Sequence, residues 1–378
     1  MGDQINTLRQ WNLTAVALEP DMDQEKIKMV KQGCFNFVFS SPETALKPFW
    51  KDVFMSNTWR EKSLALVIDE AHCISEWGEN FRKEFKHLHE LRSAIRAPVL
   101  ALTATSTNAV KADILKCLQI EDAHIVHRSP DRPNIFIDFQ KAESTEIEKK
   151  CEWIVNHLRE NNSAAKKIII YCRSIDRVSQ VFILLRSCLG IDAYANRIKD
   201  SNHALIDMFH SSIHENSKPE ILRLFQDPNS NLSCLVATVA LAMGIQIDDV
   251  DIVMHLGSPK TVLSYWQEAG RCARDGRPGY SYVLYDNFTL SGKGTSKDLK
   301  KIVEDSGCFR QNILRYLGDN EFTNDSEICE GHCGTDRCLC TKCMCCSSCR
   351  GSCLCNISNK FSVIKFAQIT DDPTDTLN

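Results

Sequence analysis

Two adjacent carboxylates follow an apolar segment near residue 70. The segment from Leu64 to Ile68 is short and apolar, which predicts a β-strand buried on both faces, and Asp69-Glu70-Ala71-His72 follows it directly. In an open α/β sheet, ligands bind at the carboxyl ends of the strands. Carboxylates at that edge suit a nucleotide site in which Asp69 holds Mg²⁺ and Glu70 orients and deprotonates the attacking water. The alternative is a strand that ends in a solvated acidic turn.

The residues after His72 combine aromatic and cationic side chains. Residues 73–82 include Trp77, Phe81 and Arg82. Aromatic stacking helped by a cation is how proteins bind single-stranded nucleic acid without sequence preference. Core packing is the alternative for Trp77 or Phe81 taken alone. The segment resembles the aromatic-rich loop of RecQ-family DNA helicases in superfamily 2, and the resemblance implies that it contacts DNA and reports that contact to the ATP site.

A second candidate site contains two arginines three residues apart. The motif Gln267-Glu268-Ala269-Gly270-Arg271-Cys272-Ala273-Arg274 lies in a helix predicted over 261–274, which would place Arg271 and Arg274 on one face. Two guanidinium groups on one face can clamp a triphosphate and stabilise charge during phosphoryl transfer, with Gln267 one turn earlier. The alternative is a basic surface helix. The RecQ family usually has glycine at the position of Ala273.

Further motifs resemble the RecQ family in the family's own order. For Ser41-Pro42 the alternative is a plain strand-to-helix turn, and for Thr103-Ala104-Thr105 it is a pair of capping threonines, with Thr105 or Ser106 as N-cap. The family usually has other residues where Ala242 and Gln246 stand. Taken together, the resemblance implies catalytic roles for Asp69, Glu70, His72, Gln267, Arg271 and Arg274, nucleotide contacts from Asp69, Thr103, Thr105, Gly244, Arg271 and Arg274, and DNA contacts from Ser41, Pro42, Trp77, Phe81, Arg82, Arg173 and Thr238.

Strands and helices alternate along most of the chain, which indicates parallel sheets covered by helices. In the second half, strands are predicted at 167–172, at Ala193 (a short one), at 234–238 and at 252–256. Residues 131–135 resemble the linker between the two motor domains of RecQ helicases. The expected fold class is therefore α/β, with two RecA-like parallel-sheet domains, the first incomplete, and a small cysteine-rich zinc-binding helical subdomain. We expect the first domain at 1–137, the second at 138–290, the zinc-binding subdomain at 291–356 and a polar tail at 357–378.

The first domain is expected to be incomplete because the sequence lacks the phosphate-binding motif Gly-x-x-x-x-Gly-Lys-Ser/Thr. The pair Gly292-Lys293 is followed by Gly294 and does not follow a strand. The opening residues, Met1-Gly2-Asp3-Gln4-Ile5, resemble a segment just downstream of the nucleotide loop in RecQ helicases. We therefore expect a fragment of a longer protein, with a native short protein as the alternative. Removing a central strand would expose an apolar face of the sheet.

Cysteines are concentrated near the C-terminus, where eleven of the 19 lie from Cys308 onward. Because the N-terminus does not resemble a secretion signal, this clustering predicts metal binding rather than disulfides. Four thiolates make a closed tetrahedral zinc site. The resemblance to the RecQ zinc-binding subdomain favours Cys308, Cys329, Cys333 and Cys338 as ligands. A competing set with two-residue gaps is Cys340, Cys343, Cys346 and Cys349, and eleven thiols exceed the needs of one site.

The composition is typical of a globular protein, at 43% apolar and 25% charged residues, and a net charge of −4 neither supports nor excludes nucleic-acid binding. No apolar run approaches the ~20 residues that span a membrane. The resemblance implies an ATP-dependent helicase that moves 3′ to 5′ and unwinds DNA in repair and recombination in the nucleus. Its cofactors would be ATP, Mg²⁺ and Zn²⁺, and its partners single-stranded and duplex DNA and DNA-repair proteins. The alternatives are a non-catalytic DNA- or partner-binding protein and, more weakly, metal storage by the cysteines.

Overall fold

The computed structural model describes residues 2–76, 83–104, 106–143, 147–242, 247, 249–292, 294–319, 345–351 and 362–368. The chain divides into two units, Met1–Pro130 and Asp131–Asn378, which are described separately below. Both are built from parallel strands and helices, so the α/β class predicted from the sequence is confirmed. Among the described residues, no helix has the length and apolar character needed to cross a membrane.

The first unit contains two separate two-stranded parallel sheets. Strand β1 (Ala15–Ala17) pairs with β2 (Phe37–Phe39), and β3 (Leu66–Ile68) pairs with β4 (Val99–Ala101). A 3-10 turn covers Lys83–His87. The α-helices are α1 (Gly2–Gln10), α2 (Gln24–Lys31), α3 (Pro42–Ala45), α4 (Pro48–Met55), α5 (Asn57–Lys62), α6 (Cys73–Glu76), α7 (His89–Ala94) and α8 (Asn108–Cys117).

The β3–β4 pair has an exposed apolar surface. Val67 is 51% exposed, and Leu100 and Leu102 are 50% and 42% exposed. The prediction that this strand is buried on both faces is therefore wrong. The reason is that, within the described part of the chain, β3 has a single strand partner, so the pair lacks the neighbours that would cover it.

The second unit is built on a six-stranded parallel sheet in the order β5-β10-β9-β6-β8-β7. Its central strands β6, β8 and β9 are buried at every residue, as their continuous apolar sequences predict. The short strand predicted at Ala193 is wrong, because this residue lies in a 3-10 turn. The strands are β5 (Ile135–Lys141), β6 (Ile168–Cys172), β7 (Ile206–Phe209), β8 (Cys234–Ala237), β9 (Ile252–Leu256) and β10 (Gly279–Tyr285).

Helices cover both faces of this sheet and continue toward the C-terminus. They are α9 (Ile147–Asn161), α10 (Ile175–Leu189), α11 (Ser217–Gln226), α12 (Val262–Ala269), α13 (Asn287–Ser291), α14 (Lys297–Glu304), α15 (Phe309–Tyr316), α16 (Ser347–Gly351) and α17 (Val363–Gln368). Further 3-10 turns lie at Asn162–Ala164, Gly190–Ala193, Ala195–Arg197, Ser201–His203 and Val239–Ala242.

Strand β5 belongs to the second unit, which begins at Asp131. Ile135 pairs with Gly279 at the start of β10. The boundary predicted near residue 138 falls inside this strand, so the second unit begins earlier than the sequence indicated. Residues 131–134, predicted to be part of a linker, lead directly into the edge strand of the sheet.

Two C-terminal segments pack against the same sheet. The amide of Ile137 donates to the carbonyl oxygen of Cys345 at 3.3 Å, and the amide of Phe139 donates to the Ser347 hydroxyl at 3.3 Å, so residues 345–347 lie along β5. In α17, the ring of Phe366 lies 5.6 Å from that of Tyr280, and Val363, Phe366 and Ala367 are buried in the core. The expected polar tail therefore contains a helix that packs on the sheet.

Candidate functional sites

The carboxylate turn, residues 69–72, follows the last residue of β3. The backbone of Glu70 donates to the Asp69 carboxylate at 2.9 Å, and Ala71 donates to the carbonyl oxygen of Leu102 at 2.9 Å. Glu70 has a φ of +50°, a left-handed conformation that is strained for a residue with a side chain. Both carboxylates are exposed. They are therefore accessible to a metal ion and to water at the carboxyl end of a parallel strand, where the sequence predicted them.

The buried side chain of His72 contacts the carboxylate turn. The side chain is 5% exposed, and its Nδ1 lies 3.1 Å from the Thr103 hydroxyl and 3.2 Å from Glu70 Oε2. Burial lowers the pKa of His72, although the nearby Asp69 carboxylate opposes that shift. The imidazole is therefore neutral at pH 7. Its contact with Thr103, two residues after the end of β4, joins the carboxylate turn to the predicted motif at residues 103–105.

The structure shows which residues cap helices α8 and α3. Helix α8 is capped by Thr107, whose hydroxyl accepts from the amide of Val110 at 3.2 Å, so the prediction of Thr105 or Ser106 as N-cap is wrong. Ser41 caps α3 by accepting from Thr44 at 3.3 Å, and Pro42 stands in the first turn. The strand-to-helix turn is thus present. A DNA contact by Ser41 or Pro42 stays a prediction.

Two residues predicted to contact DNA, Arg173 and Thr238, lie in the second unit. Thr238 follows β8 and is half-buried. The Arg173 guanidinium donates to the carbonyl oxygen of Thr289 at 3.0 Å and to the Thr295 hydroxyl at 3.3 Å, and burial lowers its pKa. Their DNA contacts stay predictions. The predicted residues outside the described part are Trp77, Phe81, Arg82, Thr105 and Gly244.

The arginine turn, residues 270–274, differs from its prediction. Helix α12 ends at Ala269, with Gly270 as its C-cap, instead of continuing to residue 274. Arg271 is 4% exposed, whereas Arg274 is exposed. The prediction that both arginines share a helix face is therefore wrong. Gln267 remains on α12 and is half-buried.

Side chains from the start of the second unit explain why the helix stops. The Arg132 guanidinium donates to the carbonyl oxygens of Gly270 at 2.8 Å, Cys272 at 2.9 Å and Ala273 at 2.8 Å. Asn134 donates to the carbonyl oxygen of Ala273 at 3.0 Å. These donors satisfy carbonyl groups at the end of a helix that would otherwise need partners. Arg132 and Asn134 were not identified from the sequence; the only available signal was a cluster of polar side chains around Pro133.

A buried polar pair supports the arginine turn from α12. Nε2 of His255 lies 2.7 Å from Glu268 Oε2, and the two side chains are 3% and 4% exposed. The ring of Tyr171 stacks on His255 with centroids 5.4 Å apart. Burial raises the pKa of Tyr171 well above its ordinary value, so the phenol keeps its proton. None of these three residues was identified from the sequence as part of a site.

Four cysteines in the second unit meet the requirements of a metal site. The sulfur atoms of Cys308, Cys345, Cys346 and Cys349 all lie within 4.8 Å of one another, and Cys308 Sγ is 3.5 Å from Cys345 Sγ and 3.9 Å from Cys346 Sγ. A tetrahedral zinc ion with Zn–S bonds of about 2.3 Å places its sulfur ligands about 3.8 Å apart. Hydrogen bonding among the thiols lowers the pKa of Cys346 and raises the pKa of Cys345 and Cys349, so the four thiols do not ionise independently. We call these four residues the cysteine cluster.

The cysteine cluster shares only part of each set considered from the sequence. Cys308 belongs to the favoured set, whose other members, Cys329, Cys333 and Cys338, lie outside the described residues, so their binding stays a prediction. Cys346 and Cys349 belong to the competing set. Cys345 was in neither set, because a spacing pattern gives no reason to use two adjacent cysteines together.

Two family models match parts of this chain. The DEAD/DEAH box helicase family model matches residues 1–113, and the model of the helicase conserved C-terminal domain matches residues 149–276. The chain is 30% identical to the ATP-dependent DNA helicase RecQ of Pasteurella multocida, over 85% of this chain and 50% of that protein. It is 29% identical to the ATP-dependent DNA helicase hus2/rqh1 of Schizosaccharomyces pombe, over 85% of this chain and 24% of that protein.

Solved structures show the same fold at low sequence identity. The DUF1998 helicase MrfA bound to DNA and AMPPNP matches with a TM-score of 0.60 and 15% identity, over 83% of this chain and 46% of that chain. Dbp5 of S. cerevisiae, bound to RNA and ADP BeF3, matches with a TM-score of 0.55 and 15% identity, over 81% of this chain and 68% of that chain.

The fold and the two family models define a class, that of helicases with a DEAD/DEAH box domain and a helicase C-terminal domain. Within that class, the chain is similar to RecQ-family helicases, at 28–30% identity over 84–85% of its length. It spans about half of the length of the P. multocida relative and about a quarter of the S. pombe relative.

Proposed function

We propose that this chain contributes the motor domains of an ATP-dependent DNA helicase that moves 3′ to 5′ and unwinds duplex DNA in repair and recombination in the nucleus. The observation that carries the proposal is the carboxylate turn. It places two exposed carboxylates at the carboxyl end of a parallel strand and connects them through neutral His72 to Thr103. The RecQ relatives are ATP-dependent DNA helicases, and this supports ATP and DNA as the substrates of the present chain.

The residues of the two turns have complementary roles in this proposal. Asp69 would hold Mg²⁺, which neutralises phosphate charge when bound. Glu70 would accept a proton from the attacking water, and His72 would keep the Glu70 carboxylate oriented. Arg271 and Arg274 would stabilise the negative charge that develops on the transferred phosphoryl group. Gln267, on the helix before them, would help to orient the same groups.

A substitution that removes the base tests the catalytic role. In the longest protein that the gene encodes, Glu70→Gln should lower DNA-stimulated ATP hydrolysis by at least about 100-fold, because the amide cannot accept the proton. Binding to single-stranded DNA should persist. Glu61→Gln is the matched control, since Glu61 is also exposed and lies in the same unit. Turnover that survives in Glu70→Gln removes Glu70 from the role of base.

The direction of movement needs a separate measurement. Duplexes with a single-stranded tail at either the 3′ or the 5′ end report the strand on which the motor loads. We expect unwinding of the 3′-tailed substrate and little unwinding of the 5′-tailed one. The reverse preference would contradict the proposed 3′-to-5′ direction while leaving the assignment of a DNA motor in place.

A non-catalytic DNA- or partner-binding role is the second candidate function. The observation that favours it is the sequence of the nucleotide motifs, which lacks the Gly-x-x-x-x-Gly-Lys-Ser/Thr pattern and has Ala273 where the family usually has glycine. A protein with this role would bind DNA with an affinity that does not change when ATP is added. DNA-stimulated ATP hydrolysis by the purified 378-residue chain would rule it out.

The cysteine cluster is proposed to hold one Zn²⁺ as a structural ion, since four thiolates leave no open coordination position. Metal analysis of the purified chain should find zinc, and Cys308→Ser should lower the zinc content by about one ion per chain. Cys188→Ser, which alters an exposed cysteine far from the cluster in sequence, is the control. Zinc content well above two per chain would instead support metal storage by the cysteine-rich segment.

A further inference from the structure

Arg310 is a buried cation beside the cysteine cluster. It lies two residues after Cys308, at the start of α15, and is 2% exposed. Its guanidinium donates to the Asp131 carboxylate at 2.6 Å and to the carbonyl oxygen of Arg132 at 2.8 Å. It also donates to the carbonyl oxygens of Ile135 and Cys345, the latter at 3.3 Å. One side chain therefore joins Cys345, a member of the cluster, to the first residues of the second unit.

Arg132 continues this connection toward the arginine turn. Its backbone carbonyl accepts from Arg310, and its side chain donates to three carbonyl oxygens of the turn. Only two side chains, Arg310 and Arg132, therefore separate the backbone of Cys345 from the backbone that carries Arg271. We call this pair the arginine bridge.

We propose that the arginine bridge couples the cysteine cluster to the arginine turn, so that a metal ion held by the four thiols fixes the conformation of residues 270–274. Arg132 and Arg310 are positioning residues in this proposal, because they act on Arg271 and Arg274 through the backbone. The conformational coupling stands on the hydrogen bonds alone. Its consequence for phosphoryl transfer rests on the proposed function of the two arginines in the turn.

The chemistry of guanidinium explains why arginine serves at both positions. Its five N–H donors lie in one rigid plane, so a single side chain can bind several backbone carbonyls in a fixed geometry. A lysine ammonium is a point charge on a flexible stem and does not hold three separate carbonyls in the same way. The amides of the arginine turn still bond to backbone carbonyl oxygens, including those of Glu268 and Val250. Arg132 instead binds the carbonyl oxygens of the turn, so it is this carbonyl side that the bridge holds.

A second route from the cluster provides an internal control. The amide of Ile137 donates directly to the carbonyl oxygen of Cys345, so the state of the cluster also reaches β5 without passing through either arginine. Removing the metal should therefore affect β5 whether or not the bridge is intact. The arginine turn should respond much more strongly when the bridge is intact, because outside the bridge it receives from this edge of the sheet the hydrogen bond that Asn134 donates to Ala273.

Hydrogen exchange on the full chain separates these routes. Wild type and Arg132→Lys are compared as zinc-loaded protein and after treatment with a chelator. In wild type, chelation should speed exchange of the amides of residues 270–274 about tenfold, as expected when local opening becomes easier. In Arg132→Lys, these amides should already exchange fast, and chelation should change them less than about twofold. Residues 135–141 should respond to chelation in both proteins.

Two further variants make the test specific. Arg223→Lys should behave like wild type, because Arg223 is an exposed arginine of α11 paired with Glu220. Arg310→Lys keeps a positive charge beside Asp131 but loses the planar fork that reaches Cys345. It should bind zinc and weaken the coupling. It therefore also tests the proposal if Arg132→Lys does not fold.

Three results would overturn the proposal. The first is an equal chelator response at residues 270–274 in wild type, Arg132→Lys and Arg310→Lys. The second is no response in wild type after metal analysis shows that zinc has left. The third is faster exchange throughout the second unit, β6 included, because the cluster would then act on the whole unit. None of these measurements uses ATP, so a failure of the proposed ATPase function is recognised separately.

Discussion

The carboxylate turn and the arginine turn are held in opposite ways. Both contain a residue with a side chain at positive φ, Glu70 at +50° and Ala273 at +46°. In the carboxylate turn the charged groups are exposed and a neutral histidine lies beneath them. In the arginine turn Arg271 is buried, and Arg132 binds the carbonyl groups of the backbone. The carboxylates of the first turn are thus open to solvent, whereas the backbone that carries Arg271 is held by side-chain donors.

The sheets that support the two turns also differ in how far their strands are buried. Strand β3 is paired with one neighbour and its Val67 is half-exposed, whereas Ile169 of β6 is fully buried between two paired strands. Local stability follows the burial of apolar contacts. We therefore expect the carboxylate turn to open more readily than the arginine turn, and the following predictions test this comparison.

The largest difference should appear when one apolar side chain is shortened in each sheet. Ile169→Ala should cost about 2–5 kcal/mol of unfolding free energy, because it leaves a cavity in a close-packed core. Val67→Ala should cost less than about 1 kcal/mol, since half of that side chain already contacts solvent. Unfolding free energies from hydrogen exchange of the β6 and β3 peptides measure both. Similar losses at the two sites would contradict the comparison.

Adding a methyl group under the arginine turn should have the next largest effect. A Cβ on Gly279 would lie 2.5 Å from Cys272 Sγ and 2.8 Å from Ala273 Cβ, so Gly279→Ala should destabilise the second unit by about 1–3 kcal/mol. Gly351→Ala is the matched control, because no atom lies within 4 Å of its added Cβ. Denaturant unfolding compares the two variants. A Gly279→Ala protein as stable as Gly351→Ala would show that the turn is not tightly packed.

The carboxylate turn should lose stability in acid through His72. Burial lowers the pKa of His72 in the folded protein, so its stabilisation is complete above the unfolded pKa of about 6.5 and declines as the pH falls from there toward the folded pKa. The decline is at most about 1.4 kcal/mol per pH unit for one proton. His72→Gln should flatten this decline in peptides of the first unit, measured by hydrogen exchange between pH 7 and 5.

A second buried histidine provides the control for that measurement. Burial also lowers the pKa of His157, which lies on α9 in the second unit. His157→Gln should flatten the pH dependence in peptides of the second unit and leave the first unit unchanged. If His72→Gln and His157→Gln alter the same peptides, the acid response belongs to the whole protein and not to the individual turns.

The smallest effects should come from the two residues at positive φ. Glu70→Gly should stabilise the first unit by about 0.5–1 kcal/mol, because glycine adopts this conformation without strain. Ala273→Gly should change stability by less than about 0.5 kcal/mol, because the relief of strain is offset by the loss of a buried methyl group. Thermal unfolding of both variants measures the difference. A loss of stability in Glu70→Gly would show that the Glu70 side chain holds the turn together.

Local patterns in the sequence predicted three of the six strands of the second sheet, and β5, β7 and β10 were missed. Strands β6, β8 and β9 are continuous apolar runs, and each lies where the pattern indicated. Strand β5 was missed because the segment before it resembles a linker, and β10 because its sequence of tyrosines and a serine has no clear apolar period. The carboxylate turn also lies where it was predicted, since it depends only on the end of one strand.

Long-range contacts could not be predicted in this way. The end of α12 is set by Arg132, which is 138–141 residues away along the chain from the carbonyl groups it binds. The cysteine cluster similarly joins Cys308 to residues 37 or more positions away. The spacing between neighbouring cysteines does not show which of them lie close to Cys308, at the start of α15, in the folded chain.

Strand β5 is first in the strand order of the six-stranded sheet, so one of its sides faces away from the other strands. On that side, the amides of Ile137 and Phe139 donate to Cys345 and Ser347. Open edges of this kind are templates on which a second chain can add a strand. The segment at 345–347 therefore protects the sheet from self-association, and a protein in which this segment detaches should aggregate through β5.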